Sequence, residues 1–208
     1  MSTPAFRTVH AEAVMGTVVS LDLRGAGDHR AALDAATDWF HEVERRFSPF
    51  LPDSETCRYG RGEIATVEAG GDLAHIVAVC ETVAARSGGR FAAWRGGAFD
   101  PSAYVKGWSV DRAAELLRSH GCEDWSINAG GDVRVSGGPA PGTAWRIGVQ
   151  HPFDRTAIAT TLLATDLAVA TSGLYERGAH ILDAVSGAAA DAVASVTCLL
   201  YTSPSPRD

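Results

Sequence analysis

Little in this chain suggests a metal cluster, a disulfide scaffold or a nucleic-acid surface. Only four of its 208 residues are cysteines (Cys57, Cys80, Cys122 and Cys198), and no two form a Cys-x-x-Cys pair. That argues against a zinc site or redox pair and fits a reducing compartment. Positive charge is also scarce: 18 Lys and Arg stand against 25 Asp and Glu, a net charge of −7. A duplex would repel such a surface, so no nucleic-acid partner is expected, and any nucleotide bound is a small cofactor held by a few local donors. No run of 18 apolar residues exists, so no membrane insertion is expected. The N-terminal MSTPAFRTVHAEAVMG lacks the basic-then-apolar pattern of a secretory signal and has no lipidation cysteine, so the expected location is the cytoplasm. Gly-x-x-x-x-Gly-Lys-Ser/Thr is absent, and no Gly-x-Gly-x-x-Gly lies between a strand and a helix.

Hydrophobic residues make up 46% and charged residues 21%, the balance of a globular chain with enough length for a core. Residues Phe6 to Leu23 read as two strands interrupted at Met15-Gly16-Thr17, with Gly16 expected at a bulge or a close backbone approach. Leu33, Ala36, Phe40, Val43 and Phe47 recur at helical spacing after a capping Asp28. Glu42, Glu44, Arg45 and Arg46 are assigned to the water face. Ser48 to Glu55 reads as a turn-rich loop. A second helix is predicted from about Asp72 to Arg86, with His75 and Glu81 solvated, and a third from about Gly107 to His120. Short strands follow: Trp125–Asn128, Asp132–Ser136, Trp145–Gln150, Ala157–Ala164 and Leu167–Ala170. Strands joined by turns rather than helices indicate an antiparallel sheet. The fold class is therefore α+β, a mostly antiparallel sheet covered by helices.

The stretch AFDPSAYVKGWSVD, Ala98 to Asp111, combines an acid, a proline, a lone lysine and a glycine at the start of a helical pattern. It reads either as an ordinary polar loop or as a place to hold a phosphate-bearing ligand or a metal, because the first N–H groups of a helix favour an anion.

Seven segments in order resemble the ApbE-type FAD:protein FMN transferases. They are Met15-Gly16-Thr17, FSPFLPDSE at Phe47–Glu55, DPSAYVKGWSVD at Asp100–Asp111, INAGGDVRVSG at Ile127–Gly137, WRIGVQHP at Trp145–Pro152, VATSGLYE at Val169–Glu176 and HILD at His180–Asp183. The resemblance implies an ApbE-like, T-fold-like architecture over 1–197. It also implies an enzyme that cleaves FAD with Mg²⁺, transfers FMN to a Ser or Thr hydroxyl of a target flavoprotein and releases AMP. By that resemblance Asp100 and Lys106 contact FAD, and the backbone carbonyl of Ala103 is a metal ligand. Met15, Phe50, Gly89, Arg90, Phe91, Ser172, Gly173 and Ile181 line the cofactor site, and His180 is the general base. An imidazole titrating near neutral pH suits that task. His10, His29, His41 and His151 have no comparable neighbours in the sequence.

The chain also departs from the family pattern. The spacer between Phe91 and Asp100 is short, as in a compact subtype. Phe50 replaces a Tyr, Gly60 replaces an Asn, and Ala184 follows Asp183 where Pro is usual. The regular pattern ends at Thr197. Residues 198–208, CLLYTSPSPRD, read as a non-native tail, so the domain is expected to be C-terminally incomplete and to lack an Asp and a Thr of the metal shell. Two other readings stay open: a flavin-binding protein without transferase activity, and an FAD pyrophosphatase that gives FMN and AMP.

Overall fold

The computed structural model describes residues 6–66, 70–173 and 193–201. β1 (Phe6–Val14) and β2 (Thr17–Gly25) form a hairpin in which Val14 pairs with Thr17. Met15 and Gly16, at φ 55° and 66°, are its two loop residues. A two-residue hairpin of this hand needs positive φ at both positions, so Gly16 makes a tight turn and not a bulge. Met15 is the only described non-glycine residue with positive φ.

α1 (Arg30–Phe47) buries Leu33, Ala36, Phe40, Val43 and Phe47, the stripe expected from the sequence. Its N-cap is His29, and Asp28 Oδ1 accepts the N–H of Arg30 one position out. Two of the residues assigned to water are instead engaged. Glu44 accepts the Met15 N–H, and Arg46 pairs with Glu55 at 2.7 Å and Asp72 at 2.8 Å. The turn-rich loop gives way to a short helix, α2 (Glu55–Gly60), capped by Ser54, whose side chain accepts the Cys57 N–H. Its six residues are too few to show an apolar period, which hides it in the sequence. α3 (Gly71–Arg86) follows, and then a small hairpin, β3 (Trp94–Arg95) and β4 (Ala98–Phe99), turning at Gly96-Gly97. His75, on α3, is exposed as expected and its Nε2 lies 2.8 Å from the Tyr104 hydroxyl.

α4 spans Ser102–Ser119 and begins five residues earlier than the sequence indicates. Asp100 Oδ1 accepts the Ser102 N–H, and the carbonyl of Pro101, at the N-cap, accepts from Tyr104 and Val105. Val105 and Trp108 extend the buried stripe back through the first turns. Gly107 lies within the helix, where glycine costs roughly 1 kcal/mol relative to alanine and does not break it.

β5 (Asp124–Ala129), β6 (Asp132–Ser136), β7 (Trp145–His151), β8 (Asp154–Ala164), β9 (Asp166–Gly173) and β10 (Ser195–Tyr201) complete the chain. Six strands form one sheet in the order β1-β2-β5-β6-β9-β10, every neighbour antiparallel. β10 continues four residues past Thr197, because Cys198-Leu199-Leu200-Tyr201 pairs with β9 as readily as the residues before it.

Two packing layers hold the sheet. On one face Val19, Leu21 and Leu23 of β2 and Trp125, Ile127 and Ala129 of β5 bury against α1 and α4. A second cluster joins α1, α3 and α4 through Val43, Phe47, Leu73, Ile76, Val105 and Trp108. On the opposite face Val135, Leu167 and Val169 pack on Trp145, Ile147 and Ala164 of the β7–β8 hairpin. Fully buried side chains of this size each contribute about 1.5–3 kcal/mol. Among the described residues no helix is long and apolar enough to cross a membrane.

Candidate functional site

Strand register gathers several of the candidate residues at one end of the large sheet. Thr17 opens β2 two residues before Val19, which pairs with Ala129, the last residue of β5, and Asp132 opens β6 opposite that same Ala129. β9 runs past the start of β6, since Val133 pairs with Val169, and ends at Gly173 opposite Ser195, the first residue of β10. The Met15-Gly16 turn, the Gly130-Gly131 turn and the Ser172-Gly173 strand end therefore share one rim.

The two turns are locked together. Gly130 donates its N–H to the Val18 carbonyl at 3.1 Å, and Gly131 donates to Asn128 Oδ1 at 2.9 Å. Gly130 and Gly131 have φ of 56° and 93°, again a turn that favours glycine. A Cβ on Gly130 would strike Thr17 Oγ1.

α4 crosses this rim with its first turns. Lys106 Nζ lies 2.6 Å from Asp132 Oδ2, with the side chains 34% and 21% exposed. Ser109, fully buried, donates its hydroxyl to the Lys106 carbonyl at 2.7 Å and lies 3.8 Å from Met15 Sδ. Trp39 Nε1 donates to the Ser109 carbonyl at 2.9 Å. Met15, Ser109, Lys106 and Asp132 thus form one connected group. An open depression beside it is lined by Ala13, Val14, Gly16, Thr17, Val18 and Glu44.

The other candidates are placed less closely. Asp100 is half-buried beside the α4 N-terminus, its carboxylate on the Ser102 N–H and its own N–H on the Ala93 carbonyl. Ala103 is exposed in the first turn of α4, where helix geometry directs carbonyls into i→i+4 bonds and leaves one lone pair free. Phe50 is 89% exposed on the loop before α2. Gly89 and Arg90 follow α3 on the surface, with Arg90 Nη1 donating to the Ser87 carbonyl. Phe91 packs half-buried against the cluster that Met15 also touches. Ser172 is exposed and Gly173 buried at the end of β9, within the strand instead of a separate loop. His180 and Ile181 lie outside the described residues.

The sequence gives Asp132 no site role of its own, although it stands in the INAGGDVRVSG segment. An acid directly after a glycine pair is its only sequence signal. The other histidines do find neighbours: His10 and His41 both lie 3.1 Å from the Glu12 carboxylate, and buried His29 lies 3.2 Å from the Thr8 hydroxyl. Gly60 has Phe99 packed against it, with the Phe99 N 3.3 Å from where a Cβ would sit, so there is little room there for the family's Asn.

Mg²⁺ seeks several oxygen ligands at near-octahedral geometry. Among the described residues no three His, Cys, Asp or Glu side chains converge to hold a metal ion. The Ala103 carbonyl alone does not make such a shell.

Comparison with known proteins agrees with the fold. The model of the ApbE family matches residues 15–98 and 93–205. An FAD:protein FMN transferase of Vibrio cholerae serotype O1 is 36% identical over 97 residues, which is 42% of this chain and 29% of that protein. One from Rhodobacter capsulatus is 31% identical over 134 residues, 52% of this chain and 25% of that protein. The matched stretches thus span under a third of those relatives. Among solved structures, the flavin transferase ApbE from Vibrio cholerae superposes with a TM-score of 0.80 at 21% identity, covering 94% of this chain and 82% of that one. An ApbE protein from Thermotoga maritima gives the same TM-score, identity and coverage.

Proposed function

The chain belongs to the ApbE family, and we propose that it is an FAD:protein FMN transferase acting on a Ser or Thr hydroxyl of a flavoprotein, with Mg²⁺ required and AMP released. The observation that carries the reading is the rim itself, where Met15, Lys106, Asp132 and two positive-φ turns sit together at the start of a long helix. A lysine with two N–H groups left over suits a diphosphate as a point charge. Half-buried Met15 and Phe91 and the exposed ring of Phe50 offer apolar surface for the isoalloxazine and adenine rings.

In the proposed reaction the acceptor hydroxyl oxygen attacks the FMN phosphorus of FAD. The bond from that phosphorus to the bridging oxygen breaks, AMP leaves with that oxygen, and the hydroxyl proton passes to a base. His180 is the base in this reading, on the strength of the family resemblance. Lys106 holds the phosphates in place, Asp100 contacts FAD by the family resemblance, and positioning of this kind supplies much of the rate enhancement in such transfers. A bound Mg²⁺ would offset charge on the phosphates.

The test is intact-mass spectrometry of a flavoprotein acceptor domain incubated with the chain, FAD and Mg²⁺, with AMP followed by chromatography. The expected result is an FMN adduct matched by an equal amount of AMP. AMP with free FMN and no adduct would identify an FAD pyrophosphatase instead. FAD retention with neither product would identify a flavin-binding protein.

A further inference from the structure

The two partners of the Lys106–Asp132 pair differ in how they are held. Asp132 carries its carboxylate on a short side chain, from a backbone fixed by three things. It pairs with Ala129 across the hairpin, the turn is closed by the Gly131 N–H on Asn128 Oδ1, and the tip is tied to Val18 by Gly130. Lys106 carries its ammonium on a flexible four-carbon stem. The carboxylate therefore sets where the ammonium stands, and not the reverse. A charge-assisted bond of 2.6 Å uses one of the three ammonium N–H groups and leaves two for an anion arriving from the open side.

We infer that Asp132 is a positioning residue that aims the Lys106 ammonium at the diphosphate of FAD. This rests on the reading above that Lys106 meets that diphosphate. The carboxylate itself repels a phosphate, and two effects compete when it is removed. Both side chains are partly exposed, so water screens the repulsion. A released lysine must instead be immobilised afresh each time the ligand binds. Loss of positioning outweighs relief of repulsion, and removal weakens binding.

The experiment titrates FAD into the whole chain, following flavin fluorescence, with riboflavin, which has no phosphate, in parallel. Lys106→Met is expected to weaken FAD about tenfold or more, as for a lost hydrogen bond to a charged group. Asp132→Asn should weaken FAD about fivefold, near the cost of one re-immobilised side chain, and leave riboflavin unchanged. Asp132→Glu keeps the carboxylate and should bind FAD more tightly than Asp132→Asn. The double variant Lys106→Met/Asp132→Asn should bind no more weakly than Lys106→Met alone. FAD binding by Asp132→Asn that equals or exceeds the wild type would overturn the inference. So would losses that add in the double variant, or an equal loss for riboflavin. If Lys106→Met leaves FAD binding unchanged, the lysine reading itself falls. That outcome is distinct from one in which Lys106 matters and Asp132 does not.

Discussion

The backbone N–H of Met15 donates to Glu44 Oε1 at 2.9 Å, tying the tip of the β1–β2 hairpin to the C-terminal end of α1. The residue so held is the one described non-glycine at positive φ, a conformation that costs an L-residue roughly 1–2 kcal/mol. Glu44 helps offset that cost. Glu44→Ala removes the acceptor and is expected to destabilise by about 1 kcal/mol, a fall in Tm of about 2–4 °C for a chain of this size. It should also weaken FAD, because Met15 loses its fixed place. Glu44→Gln keeps a side-chain oxygen and should stay near the wild type. Thermal denaturation and FAD titration of the two variants check this, and equal behaviour of Ala and Gln would show that the hydrogen bond does not hold the turn.

Phe50 separates binding from folding. Its ring is 89% exposed and belongs to none of the buried clusters. Phe50→Ala should leave stability within about 0.5 kcal/mol of the wild type. If the ring packs on the flavin or adenine, FAD affinity should fall about threefold to tenfold, the worth of one aromatic contact. Chemical denaturation and FAD titration on the same sample measure both. A stable variant with unaltered FAD affinity would remove Phe50 from the site.

What was legible in the sequence follows from how far a pattern runs. Val19, Leu21 and Leu23 alternate, and Leu33 through Phe47 recur at helical spacing, long enough for each to name its element and its buried face. α2 and the β3–β4 hairpin are too short to show a period, so only their turn chemistry was visible. Gly107 looks like the start of α4 in the sequence, whereas packing of Val105 and Trp108 carries the helix back to Ser102. Lys106 was legible as a candidate by motif. Its partnership with Asp132 was not, because it depends on how the β5–β6 hairpin returns under α4.

Asp22 gives the fold a predictable acid sensitivity. Burial works against its ionised form, but hydrogen bonds from Arg24 and Arg7, with the charges of both, outweigh that and hold the carboxyl below its usual value. A depressed folded-state pKa gives stability that is present in full above the unfolded value, about 3.9, and is lost as pH falls through the folded one. Asp22→Asn should therefore destabilise at pH 7 by roughly 1 kcal/mol or less, as for a partly exposed ion pair. The difference from the wild type should shrink below about pH 4. Urea denaturation across that range measures it, and a pH-independent difference would mean that the charge is not what Asp22 contributes.

Gly130 is the point at which the rim is least tolerant of change. Two separate constraints meet there: a backbone at φ 56° and a neighbour, Thr17, whose Oγ1 occupies the space a Cβ would need. Gly16 shares the first constraint at φ 66° but has open space around it. Gly16→Ala should thus cost only the backbone penalty, roughly 1–2 kcal/mol. Gly130→Ala should cost more, by about 1–3 kcal/mol of overpacking. Thr17→Ala clears the hydroxyl and methyl that a new Cβ would meet, so Thr17→Ala/Gly130→Ala should recover part of the second cost and none of the first. Denaturation of these variants as a double-mutant cycle yields a favourable coupling between positions 17 and 130 if the turns abut as described. Additive losses would mean that the two turns move apart freely. In that case Met15 and Asp132 would not keep the fixed separation that a shared FAD site requires.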